Sequence, residues 1–181
     1  MAEDETDVLL FPPLRAGWAR KGLPAKVSLS GRNARRVLFG AINLRTGHRI
    51  LLPRHRQRAE DFCAFLDELR RRYRDRPIAL LLDEDTSHTA HASIAHARDL
   101  DISLVWLPKR CPELNPMDHL WRSAKQHACA NRQDTTIDVT VARAIRYLRR
   151  LTPREALRKA GVFSRHFWLR HALSNRFRRR T

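Results

Sequence analysis

The chain has 181 residues, 43% of them apolar, and its 36 Lys and Arg residues against 19 Asp and Glu residues give a formal net charge of +17. This length and apolar content predict one domain with a sizeable core and exclude a chain that is disordered throughout. The longest uninterrupted apolar run, Ile78 to Leu82, is far too short to cross a bilayer, which argues against a membrane-spanning protein.

The N-terminal residues and the cysteines indicate the compartment. Residues 1–7, MAEDETD, are acidic where a secretory signal would be basic and then apolar. The three cysteines, Cys63, Cys111 and Cys129, are odd in number and widely spaced, so they predict neither a disulfide framework nor a zinc knuckle. We therefore expect a reducing, cytoplasmic setting with association to the nucleoid, and no membrane partner.

The charge predicts a polyanionic partner, because +17 is a large excess for a domain of this size. Nucleic acid is the first candidate, an anionic membrane surface is the second, and a basic face that meets only solvent is the third. Most of the cationic residues are arginines, whose guanidinium group binds phosphate in a bidentate manner. The sequence has no Gly-rich phosphate loop, which disfavours an ATPase.

The predicted strands come first in the chain and alternate with helices further on. The short apolar run Val8–Phe11 ends at two prolines, and Arg36–Leu44 and His48–Leu52 flank an Arg-Thr-Gly turn that predicts a β-hairpin. The continuous apolar runs Ile78–Leu82 and Ile102–Leu107 predict buried strands, the first of them central in the sheet.

Helical periodicity and capping residues predict the remaining elements. The predicted helices are Glu60–Tyr73, Thr89–Leu100, Asn115–His127, Thr135–Arg150, a short helix from Thr152, and Phe163–Leu173. Asn115 is the predicted N-cap of its helix, and capping boxes open the helices that start at Thr135 and Thr152. The order of elements predicts a mixed α/β domain in which an antiparallel hairpin joins a parallel portion.

Three aspartates lie at predicted element ends in a chain that is poor in acids. Asp4 precedes the first predicted strand, Asp83 closes the Ile78–Leu82 strand, and Asp118 lies in the first turn after Asn115. Such ends can converge, and carboxylate oxygens are the ligands that Mg²⁺ prefers. Two ions about 4 Å apart can activate a water or a 3′-hydroxyl and stabilise the leaving oxygen. The basic surroundings are expected to lower the pKa of these carboxyls.

Each aspartate also has a simpler interpretation. Asp118 could only satisfy backbone donors in a first helical turn, and Asp4 could be a solvated member of an acidic leader. Asp83 is harder to explain in this way, because a charge that closes five apolar residues usually has a partner. On spacing alone, the metal site and these interpretations stay open.

Histidines concentrate after the Ile78–Leu82 strand, at His88, His91 and His96. A zinc site would need closer convergence and a fourth ligand, so we expect none formed by these three residues. His88 is instead expected to orient a carboxylate or a phosphate near Asp83.

The four tryptophans are expected in two environments. Trp106, Trp121 and Trp168 are predicted to pack in the core. Trp18 lies in a loop rich in Arg, Lys and Gly, where a core or lid position and stacking on a nucleic-acid base are both open.

Two stretches carry a resemblance to a known family. Residues 80–90 read LLLDEDTSHTA, residues 105–121 read VWLPKRCPELNPMDHLW, and 34 residues (84–117) separate Asp83 from Asp118. These stretches resemble the DDE superfamily endonuclease domain of mariner-like insertion-sequence transposases. The shared features are an aspartate at a strand end, a histidine five residues later, a Leu-Pro pair, and an acid two residues after a Pro-x-Leu-Asn-Pro block. Asp4-Glu5 resembles the Asp-Glu pair on that family's first strand, and Trp18–Gly22 resembles its Trp-Ala-x-x-Gly block.

The resemblance implies a fold, a site and a reaction. The fold is RNase H-like, a mixed sheet of an antiparallel hairpin plus parallel strands flanked by helices. Asp4, Asp83 and Asp118 form the implied catalytic and metal-binding triad, which uses two Mg²⁺ ions, with Mn²⁺ as a substitute. The implied reaction is hydrolysis at transposon ends followed by attack of the freed 3′-hydroxyl on target DNA.

Further residues are expected around this triad. Those expected to support the metal ligands are Glu5, His88 and Asn115. Those expected to contact DNA are Arg20, Lys21, Lys109, Arg110, Arg122 and Lys125.

The resemblance covers nearly the whole chain, so we expect residues 1–175 to form the catalytic domain and residues 176–181 a basic tail. Family members carry N-terminal helix-turn-helix modules, for which the three residues before Asp4 leave no room. We expect a homodimer or higher assembly on DNA, with a separately encoded helix-turn-helix subunit as a candidate partner. Three functions stay open: an active transposase domain, an inactive remnant that binds DNA non-specifically, and an RNase H-like nuclease that only hydrolyses.

Overall fold

The computed structural model describes residues 1–23 and 25–174. The strands within them are β1 (Ala2–Leu9), β2 (Arg35–Ile42), β3 (Arg49–Arg54), β4 (Ile78–Leu82) and β5 (Ile102–Trp106). The helices are α1 (Ala59–Arg72), α2 (Thr86–Thr89), α3 (His91–Asp99), α4 (Pro116–Ala124), α5 (Ile137–Arg150), α6 (Pro153–Lys159) and α7 (Arg170–Ser174). A 3₁₀ turn (Pro112–Leu114) precedes α4, and a π-helical segment (Lys125–Cys129) follows it.

The strands form one mixed sheet in the order β3-β2-β1-β4-β5. Strand β2 is antiparallel to both β1 and β3, whereas β4 is parallel to both β1 and β5. The predicted hairpin, the two predicted strands and the combination of antiparallel and parallel pairing are therefore confirmed. The prediction that the Ile102–Leu107 strand is buried is wrong, because β5 lies at the edge of the sheet and exposes Val105 and Trp106. The middle position belongs to β1 rather than to the Ile78–Leu82 strand, which lies between β1 and the edge strand β5.

The first strand begins earlier than its apolar run indicated. We predicted a strand at Val8–Phe11 with Asp4 before it, but β1 starts at Ala2 and Asp4 lies inside it. A strand this rich in acids is stable here because hydrogen bonds to β2 extend along its whole length and because its buried acids meet a histidine from another element. Neither partner is visible to local hydrophobic periodicity.

Helices cover both faces of the sheet. On one face α4, α5 and α6 pack around Trp121, and on the other α1 and α3 pack around Phe62 and Phe65. Helix α4 buries Met117, Leu120, Trp121 and Ala124. Their i, i+3, i+4, i+7 spacing places them on one helical stripe that faces the sheet.

Only one of the three tryptophans predicted to lie in the core does so. Trp121 is buried, but Trp106 is 37% exposed and Trp168 is 43% exposed. Trp106 ends an edge strand, and Trp168 donates a hydrogen bond from its indole N–H to the carbonyl oxygen of Leu114 at 3.0 Å. Trp18 is fully exposed, which rules out the core position for it.

Several helix boundaries in the structure differ from the predicted ones. The predicted Thr89–Leu100 helix is interrupted at Ala90, which lies in extended backbone between α2 and α3. The helix predicted to reach His127 is α-helical only to Ala124 and continues as the π-helical segment.

The capping residues of the later helices are partly as predicted. Thr152 forms the predicted capping box with Glu155. The N-cap of α5 is Thr136 rather than Thr135, with its hydroxyl accepting from the backbone N–H of Val139. Of the predicted Phe163–Leu173 helix only α7 forms, and the predicted tail, residues 176–181, lies outside the described residues.

A glycine lets α4 approach the sheet next to Asp4. Gly40 on β2 pairs with Asp4 on β1, and the Trp121 ring lies directly over it. A Cβ at this position would lie 2.5 Å from Cζ2 of Trp121. This close approach holds α4, and with it Asp118, against the middle of the sheet.

Among the described residues, no helix combines the length and apolarity needed to cross a membrane.

Candidate active site

The three predicted aspartates come from three elements that meet at one edge of the sheet. Ala2 of β1 pairs with Leu81 of β4, and two residues further along each strand come Asp4 and Asp83. Side chains alternate along a strand, so Asp4 faces the same side as Ala2, which belongs to the core beneath α4. Asp118 lies in the first turn of α4 on that side.

Electrostatics shows that these carboxyl groups influence one another. Burial and then the negative charges of Glu5, Asp83 and Asp118 raise the pKa of Asp4 to about 8. This corrects the expectation that the basic surroundings would lower the pKa. For Asp4 the neighbouring acids and burial outweigh the distant arginines.

Asp83 behaves in the opposite way. A hydrogen bond from His88 lowers the pKa of Asp83 below its ordinary value, and this effect exceeds the opposing effect of burial. The backbone N–H of Asp85 also donates to Asp83 Oδ1 at 3.1 Å. Asp83 is therefore held as a carboxylate in a fixed orientation at the end of β4.

His88 links the end of β4 to β1. Its Nδ1 lies 3.1 Å from Oδ1 of Asp83 and 3.1 Å from the Asp83 carbonyl oxygen, while its Nε2 lies 2.8 Å from Oε1 of Glu5. The ring is fully buried and packs on Phe62 at a centroid distance of 4.5 Å. Burial alone would lower the pKa of His88, but the charge of Glu3 and the hydrogen bonds to Asp83 and Glu5 raise it to about 12.

Sequence reasoning missed Glu3, which was grouped with a solvated acidic leader. Glu3 is fully buried, and among the described residues neither of its carboxylate oxygens has a hydrogen-bond partner. Burial, followed by the charge of Glu5, raises its pKa well above the ordinary value. The alternation of Glu3 and Glu5 in a strand was the available signal, since it places both on one face.

Asn115 ties α4 to the middle strand. Its side-chain oxygen accepts from the backbone N–H of Met117 at 3.0 Å and caps α4, and its amide donates to the carbonyl oxygen of Glu3 at 2.7 Å. Asn115 is itself buried. The residue thus fixes the start of α4, and therefore Asp118, relative to Asp4.

Asp118 is paired with a cation from its own helix. Arg122 lies one turn on and places Nε 2.9 Å and Nη2 2.5 Å from Oδ2 of Asp118. Oxygen donors on three elements and the raised pKa of Asp4 fit Mg²⁺, which takes carboxylate ligands and retains water. In the described chain, Asp4, Asp83 and Asp118 do not bring ligand atoms within 4.8 Å of one another, whereas Glu3, Glu5 and His88 do.

The six basic residues expected at DNA lie at the surface, with Lys125 half-buried. Two precede β2, two follow β5 and two lie on or just after α4: Arg20, Lys21, Lys109, Arg110, Arg122 and Lys125. Lys109 pairs with Glu84 at 3.0 Å, which joins the loop after β5 to the loop after β4. Lys109 and Arg122 therefore lie beside the elements that carry Asp83 and Asp118.

The sequence profile described as "DDE superfamily endonuclease" matches residues 2–139 of the chain. The chain belongs to the DDE superfamily endonuclease family. The match spans β1 through the start of α5 and includes all three predicted aspartates. It confirms the resemblance found in the sequence.

Relatives and solved structures agree with this DDE endonuclease domain. The curated "Insertion element IS630 uncharacterized 39 kDa protein" of Shigella sonnei is 24% identical over 136 residues. Among solved structures, the Mos1 transposase paired-end complex with left transposon end superimposes with a TM-score of 0.67 at 17% identity, covering 88% of this chain. The catalytic domain of Mos1 mariner transposase superimposes with a TM-score of 0.62 at 16% identity and the same coverage. These likenesses confirm the RNase H-like fold.

The DDE endonuclease domain spans only part of the length of each of these relatives. It spans 40% of the IS630 protein, 50% of the chain in the paired-end complex and 74% of the isolated catalytic domain.

Proposed function

We propose that this chain is the catalytic domain of a DNA transposase that cleaves phosphodiester bonds at transposon ends and joins the freed 3′-hydroxyl to target DNA. The observation that carries the proposal is the position of Asp4, inside the middle strand and under the combined charge of Asp83 and Asp118. An acid in this position is unfavourable without a cation. Divalent cations would remove that cost.

Asp4, Asp83 and Asp118 would be the ligands in this mechanism. The bound cations, Mg²⁺ or Mn²⁺, supply an activated water or 3′-hydroxyl and stabilise the leaving oxygen. His88 would hold the Asp83 carboxylate in one orientation through its Nδ1, and Glu5 would hold the other side of the ring. Asn115 would keep Asp118 in register with Asp4 by joining α4 to β1. Structures of Mos1 with Mg and with Mn support the metal assignment by analogy.

DNA is the proposed substrate and partner. The net charge of +17 supports phosphate binding over a broad surface, and the Mos1 relatives have been solved with transposon ends. We infer that Lys109, Arg110 and Lys125 would contact the backbone of a duplex whose scissile phosphate reaches Asp83. Assembly as a dimer or larger complex on DNA, and pairing with a helix-turn-helix subunit, belong to the same proposal.

Nicking of supercoiled plasmid tests the proposal directly. We expect conversion to open circles with Mg²⁺ or Mn²⁺, none with chelator, and loss of activity in Asp83→Asn. Asp67→Asn is the matched control, because Asp67 lies on α1 and pairs with His96 at 2.8 Å, away from the site. Equal residual activity in wild type and Asp83→Asn would refute the triad. An oligonucleotide that carries a transposon end separates transposition from simple nuclease action, since only a transposase gives strand-transfer products.

One observation favours a second function, DNA binding without cleavage. The Arg122 guanidinium donates two hydrogen bonds to Asp118, which is one of the three proposed metal ligands. A remnant of this kind would bind plasmid in gel-shift assays but show no nicking with either metal. Activity of the wild type in the nicking assay excludes it.

A further inference from the structure

The buried cluster behind Asp83 has an unpaired acid at its centre. Glu3 is fully buried with both carboxylate oxygens unpartnered among the described residues, yet Oε2 lies only 3.6 Å from Nε2 of His88. Leaving a buried carboxyl without a hydrogen-bond partner is unfavourable. Among the described residues, the nearest cationic group to Glu3 is the His88 ring, at ion-pair distance but too far to form a hydrogen bond.

The histidine ring is oriented as a metal-binding imidazole would be. Nδ1 faces the Asp83 carbonyl and carboxylate oxygens, both acceptors, at 3.1 Å, so this nitrogen carries the proton. Nε2 then faces Glu5 and Glu3. Metal-binding histidines are usually fixed in this way, with the second ring nitrogen donating to a carbonyl or carboxylate.

The spacing of the ligand atoms fits a small divalent cation. Nε2 of His88 lies 2.8 Å from Oε1 of Glu5 and 3.6 Å from Oε2 of Glu3, and all three ligand atoms are within 4.8 Å of one another. A tetrahedral ion with bonds of about 2.0–2.1 Å would separate its ligand atoms by about 3.3 Å. The two measured distances bracket that value.

We propose that Glu3, Glu5 and His88 bind one divalent transition-metal cation behind the active site, as a structural site that joins β1 to α2. The nitrogen ligand selects Zn²⁺, Co²⁺ or Mn²⁺ over Mg²⁺, which prefers oxygen and its own water. When the cation binds, it takes the place of any proton on Nε2 and on Glu3, and these protons pass to solvent. The second oxygen of Glu3 or a water completes the coordination.

This site is separate from the proposed catalytic ions. Glu3 and Glu5 lie on the opposite face of β1 from Asp4, because side chains alternate along the strand. The inference therefore stands or falls independently of whether the chain cleaves DNA.

Metal content and cobalt spectroscopy of the full chain test the proposal. We expect wild type loaded with Co²⁺ and then desalted to keep about one ion per chain, with the visible absorption of tetrahedral Co²⁺. Glu3→Gln and Glu5→Gln should each lose the ion and the absorption. The double variant Asp4→Asn, Asp118→Asn, which removes proposed catalytic ligands, should keep both.

The opposite pattern overturns the proposal. Wild type that retains no ion, or Glu3→Gln that retains as much as wild type, excludes the site. Loss of the ion in the Asp4, Asp118 double variant assigns it to the catalytic acids instead. Glu3→Gln keeps the side-chain volume and removes a buried acid, so its melting temperature in chelator should be no lower than that of wild type. If Glu3→Gln does not fold, the Co²⁺ absorption of wild type and its persistence in the Asp4, Asp118 double variant test the proposed site.

Discussion

Arg122 donates from both Nε and Nη2 to the same oxygen of Asp118, one helical turn away. The guanidinium thereby holds one of the three proposed metal ligands, whereas Asp4 and Asp83 form no ion pair with an arginine of the described residues. A metal ion that binds all three acids has to displace it. The pair is half-exposed, with side chains 60% and 29% accessible, so displacement costs little.

Substitution of Arg122 should therefore make the metal easier to bind. We expect Arg122→Gln to lower the Mg²⁺ concentration for half-maximal plasmid nicking about twofold to fivefold, in line with roughly 0.4–1 kcal/mol for an exposed ion pair. Arg71→Gln, which removes a similar pair with Glu68 far from the site, serves as the charge-matched control. An unchanged or higher metal requirement in Arg122→Gln would show that the arginine does not compete.

His88 should act on the reaction through Asp83. We expect His88→Gln to reduce nicking by about 10- to 100-fold and to raise the metal requirement, because the Asp83 carboxylate loses the group that orients it. His91→Gln, on the exposed start of α3, should resemble wild type. Far-ultraviolet circular dichroism must first show that both variants are folded. A folded His88→Gln with wild-type metal dependence would contradict the role.

The stability of the metal-free protein should fall as pH rises. The folded pKa of Asp4 is raised from 3.8 to about 8, so the folded state keeps a proton that the unfolded state releases above about pH 4. This contribution is complete below pH 4 and is lost as pH rises through 8. Urea unfolding at pH 6 and pH 9 should show that Asp4→Asn loses about 3 kcal/mol less than wild type, because the stability falls over about two pKa units between pH 6 and pH 8 at 1.36 kcal/mol per unit.

Repeating that measurement with saturating Mg²⁺ provides its control. The cation should replace the proton on Asp4, so wild type should gain more stability from Mg²⁺ at pH 9 than at pH 6. If Asp4→Asn and wild type lose equal stability between the two pH values without metal, the burial and charge crowding assigned to Asp4 are wrong.

Gly40 should be intolerant of any side chain. Gly40→Ala would place a methyl group 2.5 Å from the Trp121 ring and 2.7 Å from Cε of Met117, and a buried tryptophan has no room to move. We expect a loss of about 1–3 kcal/mol in the free energy of unfolding. Gly17→Ala, which meets no atom within 4 Å, should be neutral. Equal stability of the two variants would mean that α4 packs less closely than described.

DNA affinity should be largely independent of sequence and steeply dependent on salt. No base-reading element is evident in the described residues, and phosphate contacts release counterions. Arg20→Gln with Lys21→Gln should reduce the slope of log affinity against log salt by about 1–2. Fluorescence anisotropy on two unrelated duplexes measures both effects. Tight binding to one duplex that salt does not weaken would contradict the expectation.

The elements that the sequence predicted well are those with strong local signals. The continuous runs Ile78–Leu82 and Ile102–Leu107 became β4 and β5 because short runs of apolar and β-branched residues favour strands. Asn115-Pro116 opened α4 because capping chemistry involves only the next few residues. The same motif block, at a fixed distance from Asp83, was sufficient to identify the family.

Predictions failed where the stabilising partner lies far along the chain. Trp106 looks like a core residue by composition, yet it ends an edge strand that no helix covers completely. Thr135 and Thr136 are adjacent and can each cap a helix, and in the structure Thr136 is the one that caps α5.

The sequence by itself determined the mixed α/β fold, the family and the identity of three candidate acids, because apolar runs, caps and motif spacing are local properties. Tertiary structure alone decided that Asp4 lies inside the middle strand, that Glu3 is buried without a hydrogen-bond partner in the described part of the chain and that His88 bridges Asp83 to Glu5. The energy of a buried charge depends on neighbours that are brought together only by folding, and His88 and Glu5 are 83 residues apart.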